Sequence, residues 1–304
     1  MKKTGKNSYE LRAASCEFFS RTRNDHHRNL MTVCYKLATR SSQLAAILML
    51  MVLTDVTVCA LETADDRRGV PNWAVDAKHP KDAFTFVRLK YRSWSGRGGA
   101  WQTDYPDSDL NFSWRLQQIT SIKVNPTPVV LEITEPELFN YPFVYMIEPG
   151  RLEFTEQEVT TLRRYLLSGG FLMVDDFWGD QEYENFENEI KRVFPERPPV
   201  ELDIKHPVFH AVFDLKEKPQ VPSIGAAIDG RSQGITWERG EEGRQVHYKG
   251  ISDDKGRLMV IVCHNTDLGD GWEREGENEW YFREFSEPKA YPMGINIVFH
   301  AMTH

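Results

Sequence analysis

The residues best equipped for chemistry in this chain are acidic, and they follow short apolar runs. Asp175 and Asp176 come directly after residues 171–174 (FLMV). Two adjacent carboxylates at the end of a buried strand repel each other, so one is held protonated or both share a cation. That is the equipment of a general acid–base pair, and Asp175 and Asp176 are the first candidates for catalysis. The alternative is that one caps the following helix while the other faces water. His264 follows residues 258–263 (LMVIVC) and can act as a general base, a metal ligand or a satisfied structural histidine. Asp104 and Tyr105, the Glu148-Pro149-Gly150-Arg151 turn, and Asp267 with Asp270 add polar groups after other apolar runs. Trp94, Trp101, Trp178 and Trp272 fall in the same loops, where flat rings can stack on sugar faces; aromatics at loop bases also serve as satellite core.

Other chemistries lack their motifs. No H-E-x-x-H, paired C-x-x-C or complete EF-hand loop occurs, and Pro207 interrupts the His206–His210 spacing. Any metal site must therefore be oxygen-rich and assembled from distant loops; no particular metal or cofactor is indicated. Cys263 sits in Val-Cys-His-Asn without the flanking glycines of a nucleophile elbow, and no G-x-S-x-G occurs. The glycine-containing stretch 96–99 has neither the spacing nor the Lys-Ser/Thr of a phosphate-binding loop.

The elements that must position these residues have clear signals. Residues 84–91 (FTFVRLKY) alternate as a strand, with Phe84, Phe86 and Arg88 on one face. Asp107 or Ser108 can cap a helix bearing Phe112, Leu116 and Ile119. Residues 143–147 (FVYMI) read as a buried strand. Thr155 and Glu158 make a capping box for a helix with Val159, Leu162 and Leu166 on its apolar stripe. Gly169-Gly170 ends that helix, and FLMV follows as the next strand. Strand, helix and strand at this spacing predict a βαβ crossover with parallel strands. A further helix is expected over 183–194, a third apolar strand over 258–263, and a terminal helix starting near Pro292. The expected architecture is α/β with a mainly parallel sheet in a three-layer arrangement. In such sheets ligands bind beyond the carboxyl ends of the strands, which selects the loops named above.

The chain has 304 residues, a net charge of −8 and 4 Cys. The acidity argues against nucleic-acid binding, and so few cysteines cannot form a disulfide scaffold. Residues 44–53 (LAAILMLMVL) are too short to span a bilayer but fit the apolar region of a signal peptide, preceded by Lys36 and Arg40. Val58-Cys59-Ala60 resembles a cleavage site, and Met31 gives a leader of ordinary length. The expected organisation is an N-terminal extension and signal peptide over 1–60, a linker or arm over 61–82, and one α/β domain over 83–304. Removing residues 1–60, with their 9 basic and 4 acidic side chains, takes the net charge from −8 to −13 and leaves Cys263 as the one cysteine. The expected location is the periplasm or cell envelope, with no membrane span in the mature chain.

Several segments together resemble a bacterial family built on the domain of unknown function 4159. They are RLKY…W…DYP, YPFVYMIEPG…LRRYLLSGGFLMVDDFWG, HPVF, Asp267 to Trp272 and the terminal GINIVFHAMTH. Residues matching its pattern at loop positions are Asp104, Asp175, Asp176, Gly179, Asp267, Gly271 and Trp272. The resemblance implies a flavodoxin-like, three-layer sandwich similar to class I glutamine amidotransferase-like and trehalose-utilisation-type domains. It implies no activity, because the amidotransferase Cys nucleophile is absent. The expected role is a ligand-binding or interaction module with Trp94, Trp101, Asp104, Tyr105, Trp178, Asp270 and Trp272 as contacts. A small-molecule or carbohydrate ligand and envelope protein partners fit it. The alternative is a carbohydrate-directed hydrolase in which Asp175 or Asp176 works with His264.

Overall fold

The computed structural model describes residues 62–63, 67–79, 82–93 and 100–304. The apolar run 44–53, Trp94 and the glycine stretch 96–99 lie outside the described residues. Among the described residues, eight strands form one mixed sheet in the order β1-β3-β2-β4-β5-β8-β7-β6. They are β1 (Glu62–Thr63), β2 (Val87–Lys90), β3 (Val129–Glu132), β4 (Phe143–Ile147), β5 (Phe171–Asp175), β6 (Val200–Glu201), β7 (His247–Ser252) and β8 (Leu258–His264). The central run β3-β2-β4-β5-β8 is parallel throughout; β1, β7 and β6 pair antiparallel at the edges.

Parallel central strands are buried on both faces, which explains their unbroken apolar sequences. The period-2 alternation divides them between two cores. Phe86, Tyr145, Met173 and Ile261 face one way and pack with Phe112 and Leu116 of α1 (Asp107–Ile119). Ile295, Ile297 and Val298 of the terminal helix α6 (Tyr291–Thr303) join them there. Val87, Val144, Val174 and Val260 face the other way, against α2 (Glu156–Leu167) and α3 (Gly179–Val193). The βαβ crossover is present: β4 and β5 pair in parallel around α2, whose Thr155–Glu158 capping box is complete. Two shorter helices, α4 (Ile224–Gly230) and α5 (Leu268–Glu273), flank the carboxyl edge, and a π-helical stretch Phe282–Ala290 leads into α6.

The strand expected over 84–91 is shorter, at Val87–Lys90, with Phe84 making only an isolated bridge to Val124. Residues 67–79 run against the domain. The Trp73 indole donates to the Val124 carbonyl at 2.7 Å, and its ring lies 5.2 Å from that of Trp114. Among the described residues no helix is long and apolar enough to cross a membrane.

Candidate functional site

The strand order reverses between β2 and β4: the chain goes from β2 outward to β3, then returns to β4 on the other side of β2. Diverging connections at such a switch point leave a crevice. Tyr91 fixes the base of this one, donating its hydroxyl to the carbonyls of Ile147 and Glu148, both at 2.7 Å. Beyond that edge lies a cleft of about 510 Å³ lined by Thr103, Asp104, Glu148, Asp176, Trp178, Asp267 and Asp270, with Arg151, Arg239 and Arg274 among its walls. It adjoins a second hollow of about 470 Å³ along α3, where Gln181, Asn185 and Asn188 face the space.

Four loops deliver the acids. Asp104 follows β2, Glu148 follows β4, Asp176 follows β5, and Asp267 with Asp270 follow β8. Asp104, Glu148 and Asp176 each adopt left-handed backbone, with φ of 62°, 48° and 54°. Non-glycine residues enter that region at a cost of about 1 kcal/mol or more, and such positions cluster at binding and catalytic sites. The turn at Asp176 re-aims its side chain relative to Asp175: Asp175 completes the β5 ladder while Asp176 leaves it toward the cleft.

Asp175 is a strut. It lies outside the cleft lining; its Oδ2 accepts from the backbone N–H groups of Leu268 and Gly269, each at 3.0 Å, and from the Tyr145 hydroxyl at 3.2 Å. These are unpaired donors at the start of α5, so a carboxylate there ties β5 to α5. Burial lifts its pKa to about 7 against the lowering pull of those hydrogen bonds. Asp267 caps the same helix through Oδ1, which accepts from Asp270 N at 2.7 Å.

His264 also lies outside the cleft. Its ring packs 4.9 Å from those of Phe177 and Tyr183, with Nε2 against the Gly179 carbonyl at 3.1 Å. Burial pushes its pKa down to about 4, so it is neutral near pH 7. Nothing it touches belongs to the cleft's acid group, which removes the expected carboxylate–histidine pair. The tryptophans divide similarly. Trp272 has no exposed surface and stacks inside the core on Phe112, while Trp101 is buried beside Tyr105, away from the cleft. Trp178 alone among the described tryptophans lines the cleft; its indole nitrogen donates to Asp176 Oδ1 at 3.2 Å. Trp101 and Trp272 are thus buried residues outside the cleft lining. Cys263 is wholly buried, with its thiol pKa pushed up by burial.

The convergent set is therefore Asp104, Asp176 and Asp270 from the expected site, joined by Glu148 and Asp267. Burial, then the charges of Asp270 and Glu273, hold the Asp104 carboxyl well above the ordinary range. Asp176 is raised by burial and by Glu148 and Asp104; Asp267 by burial and by Asp176 and Asp104. Burial also raises Glu148, opposed by the hydroxyl of Thr103 on its Oε1 at 2.9 Å. Such a pocket can hold protons for acid catalysis or take positive charge from a ligand. The signal for Glu148 in the sequence was its place directly after FVYMI, before Pro149-Gly150.

Residues 85–302 match the family described as Domain of unknown function (DUF4159). No curated protein matches the chain.

Proposed function

The chain belongs to the DUF4159 family, a domain of unknown function, and from that premise we propose that it is a ligand-binding module of the cell envelope, taking a small polar ligand in the acidic cleft. The observation that carries this reading is the convergence of four strand-end loops on one cavity of about 510 Å³ at the switch point of the sheet. Helices on both faces favour a three-layer, flavodoxin-like sandwich of the class I glutamine amidotransferase-like kind. With Cys263 buried, amidotransferase chemistry has no nucleophile to use. Export rests on the leader alone: the apolar run 44–53 and the Val58-Cys59-Ala60 site. Peptide mapping of protein recovered from the envelope should find an N-terminus near Leu61; one well before it removes the export reading.

Thermal-shift screening of the purified chain against mono- and oligosaccharides, amino sugars and polyamines tests the binding role. One class should raise Tm by linkage, and the rise should shrink in Glu148→Gln, whose carboxylate faces the cleft. No response from any class, or an identical response in E148Q, defeats the assignment. The hydrolase reading keeps one supporting observation, the shared placement of Asp104, Asp176 and Asp270, and has lost His264 as their partner.

A further inference from the structure

Asp104, Asp176 and Asp267 each bring a carboxylate oxygen to the cleft, and these three oxygens lie within 4.8 Å of one another. We propose that the three aspartates form a site for one hard divalent cation of the calcium type, through which the cleft's polar ligand is held. This rests on the reading of the cleft as the binding site and names what the acids there are for.

The spacing suits a single ion. Calcium takes oxygen ligands at about 2.3–2.6 Å, so oxygens on opposite sides of it stand about 5 Å apart. The donor set is entirely carboxylate, with no His or Cys in the group. Such a set selects hard ions over zinc or copper. The cavity leaves room for water or ligand oxygens to complete six to eight contacts.

The hydrogen bonding points to a missing partner independently of the acidity. Asp104 Oδ2 is wholly buried and has no hydrogen-bond partner among the described residues. Asp267, only 4% exposed, uses Oδ1 on the Asp270 amide, and Asp176, 9% exposed, uses Oδ1 on the Trp178 indole. One oxygen of each side chain is left uncommitted. A buried carboxylate oxygen facing no donor is costly, and native proteins rarely leave one so. Two of the cleft's cations are already committed elsewhere. Arg274 is engaged by Asp270, Glu273 and Glu277, and Arg239 by Glu182. A second trio of Asp104, Asp270 and Glu273 is equally close. In Asp270, however, both oxygens are already engaged: Oδ2 accepts from Ile224 N and the Tyr281 hydroxyl, and Oδ1 from Arg274 Nε.

The test uses the full chain after chelator treatment, titrated with Ca²⁺ by calorimetry and, separately, with Tb³⁺ as a luminescent substitute. Trp178 lies against Asp176 and should sensitise terbium emission that Ca²⁺ displaces, and Trp178→Phe should lower that emission. One ion per chain is expected, with affinity at least tenfold weaker in Asp104→Asn and in Asp176→Asn. Each variant should unfold in EDTA at the wild-type temperature or above it, because a like charge has been removed. The proposal is overturned by the absence of a saturable response to Ca²⁺, Mg²⁺, Mn²⁺ or Tb³⁺, by a response to Zn²⁺ alone, or by unchanged affinity in both variants. Repeating the sugar and polyamine screen with and without EDTA separates the two readings. A ligand bound equally well in both conditions removes the cation's role and keeps the cleft's. A cation bound with no ligand in either condition does the reverse.

Discussion

Arg88 and Asp109 form an ion pair in which neither side chain has any exposed surface. Arg88 Nε reaches both carboxylate oxygens, at 3.1 and 3.0 Å, while its other nitrogens donate to the carbonyls of Trp101 and Thr103 and to the Ser108 hydroxyl. One guanidinium thereby ties β2, α1 and the loop between them, and that loop carries Asp104. Only a planar fork of five donors can serve all of these partners at once.

Replacing Arg88 by Met should strand Asp109 as an unpaired buried charge and free two buried carbonyls. The expected loss is about 3–5 kcal/mol, read from the urea midpoint. Arg88→Met with Asp109→Leu should recover most of it, because two apolar side chains leave no charge behind. The double variant should still bind the cleft's ligand poorly, since the Trp101 and Thr103 carbonyls remain unanchored. A double variant as unstable as R88M rules out the stranded charge as the cause.

Thr155 gives a local test of the crossover. Its hydroxyl accepts from Glu158 N at 3.2 Å, and Glu158 Oε2 accepts from Thr155 N at 2.7 Å. Thr155→Ala should cost about 1 kcal/mol of stability with little change at the cleft, because Thr155 is not among the residues that line it. A loss below a few tenths would mean that tertiary packing alone holds the start of α2.

The crossover was readable because every local signal agreed: the apolar run FVYMI, the capping box, the Gly169-Gly170 stop and FLMV. β3 escaped notice because VVLE is only four residues long and is enclosed by Pro126, Pro128 and Pro136. β7 (HYKGIS) mixes a glycine and three polar or charged residues, since it pairs near the sheet edge and needs only a half-apolar sequence. The carboxyl-edge rule selects loops that do line the cleft. It could not separate Asp175 from Asp176, because the direction each side chain takes depends on the left-handed turn at Asp176. Nor could it show that His264 packs against Phe177 and Tyr183, a contact made between the loop after β5, α3 and β8.

That buried histidine sets a pH dependence. The folded pKa of His264 is depressed to about 4, from an unfolded value near 6.5. Between those values the unfolded chain binds the proton and the folded chain does not, so stability falls as pH drops from 6.5 toward 4. A shift of this size corresponds to about 3 kcal/mol across the window. His264→Gln can still donate to the Gly179 carbonyl but cannot take a charge. Its unfolding free energy should lose less than the wild type's between pH 7 and pH 4.5, and parallel pH profiles would acquit His264. His300, also lowered to about 4 by burial and its histidine neighbours, remains in both proteins, so the difference isolates His264.

Gly269 controls how closely α5 approaches the acids. A Cβ at this position would stand 2.6 Å from Asp104 Oδ2, 2.8 Å from the Tyr145 hydroxyl oxygen and 3.1 Å from Ile147 Cδ1. Two of these distances are shorter than a Cβ tolerates, so the Asp104 carboxylate must move and α5 must also draw back slightly from the buried Tyr145 hydroxyl. The Gly269 N–H that Asp175 accepts is kept by alanine, so α5 retains its backbone donors to Asp175. Gly269→Ala should therefore cost only about 1–3 kcal/mol of stability while weakening Ca²⁺ binding by at least tenfold, because Asp104 is shared by every acidic group at the cleft. Gly225→Ala provides the contrast: nothing lies within 4 Å of its added methyl, and within α4 the change should be neutral or stabilising by up to about 1 kcal/mol. If G269A binds Ca²⁺ as tightly as G225A does, the close approach of α5 to Asp104 is not what shapes the site.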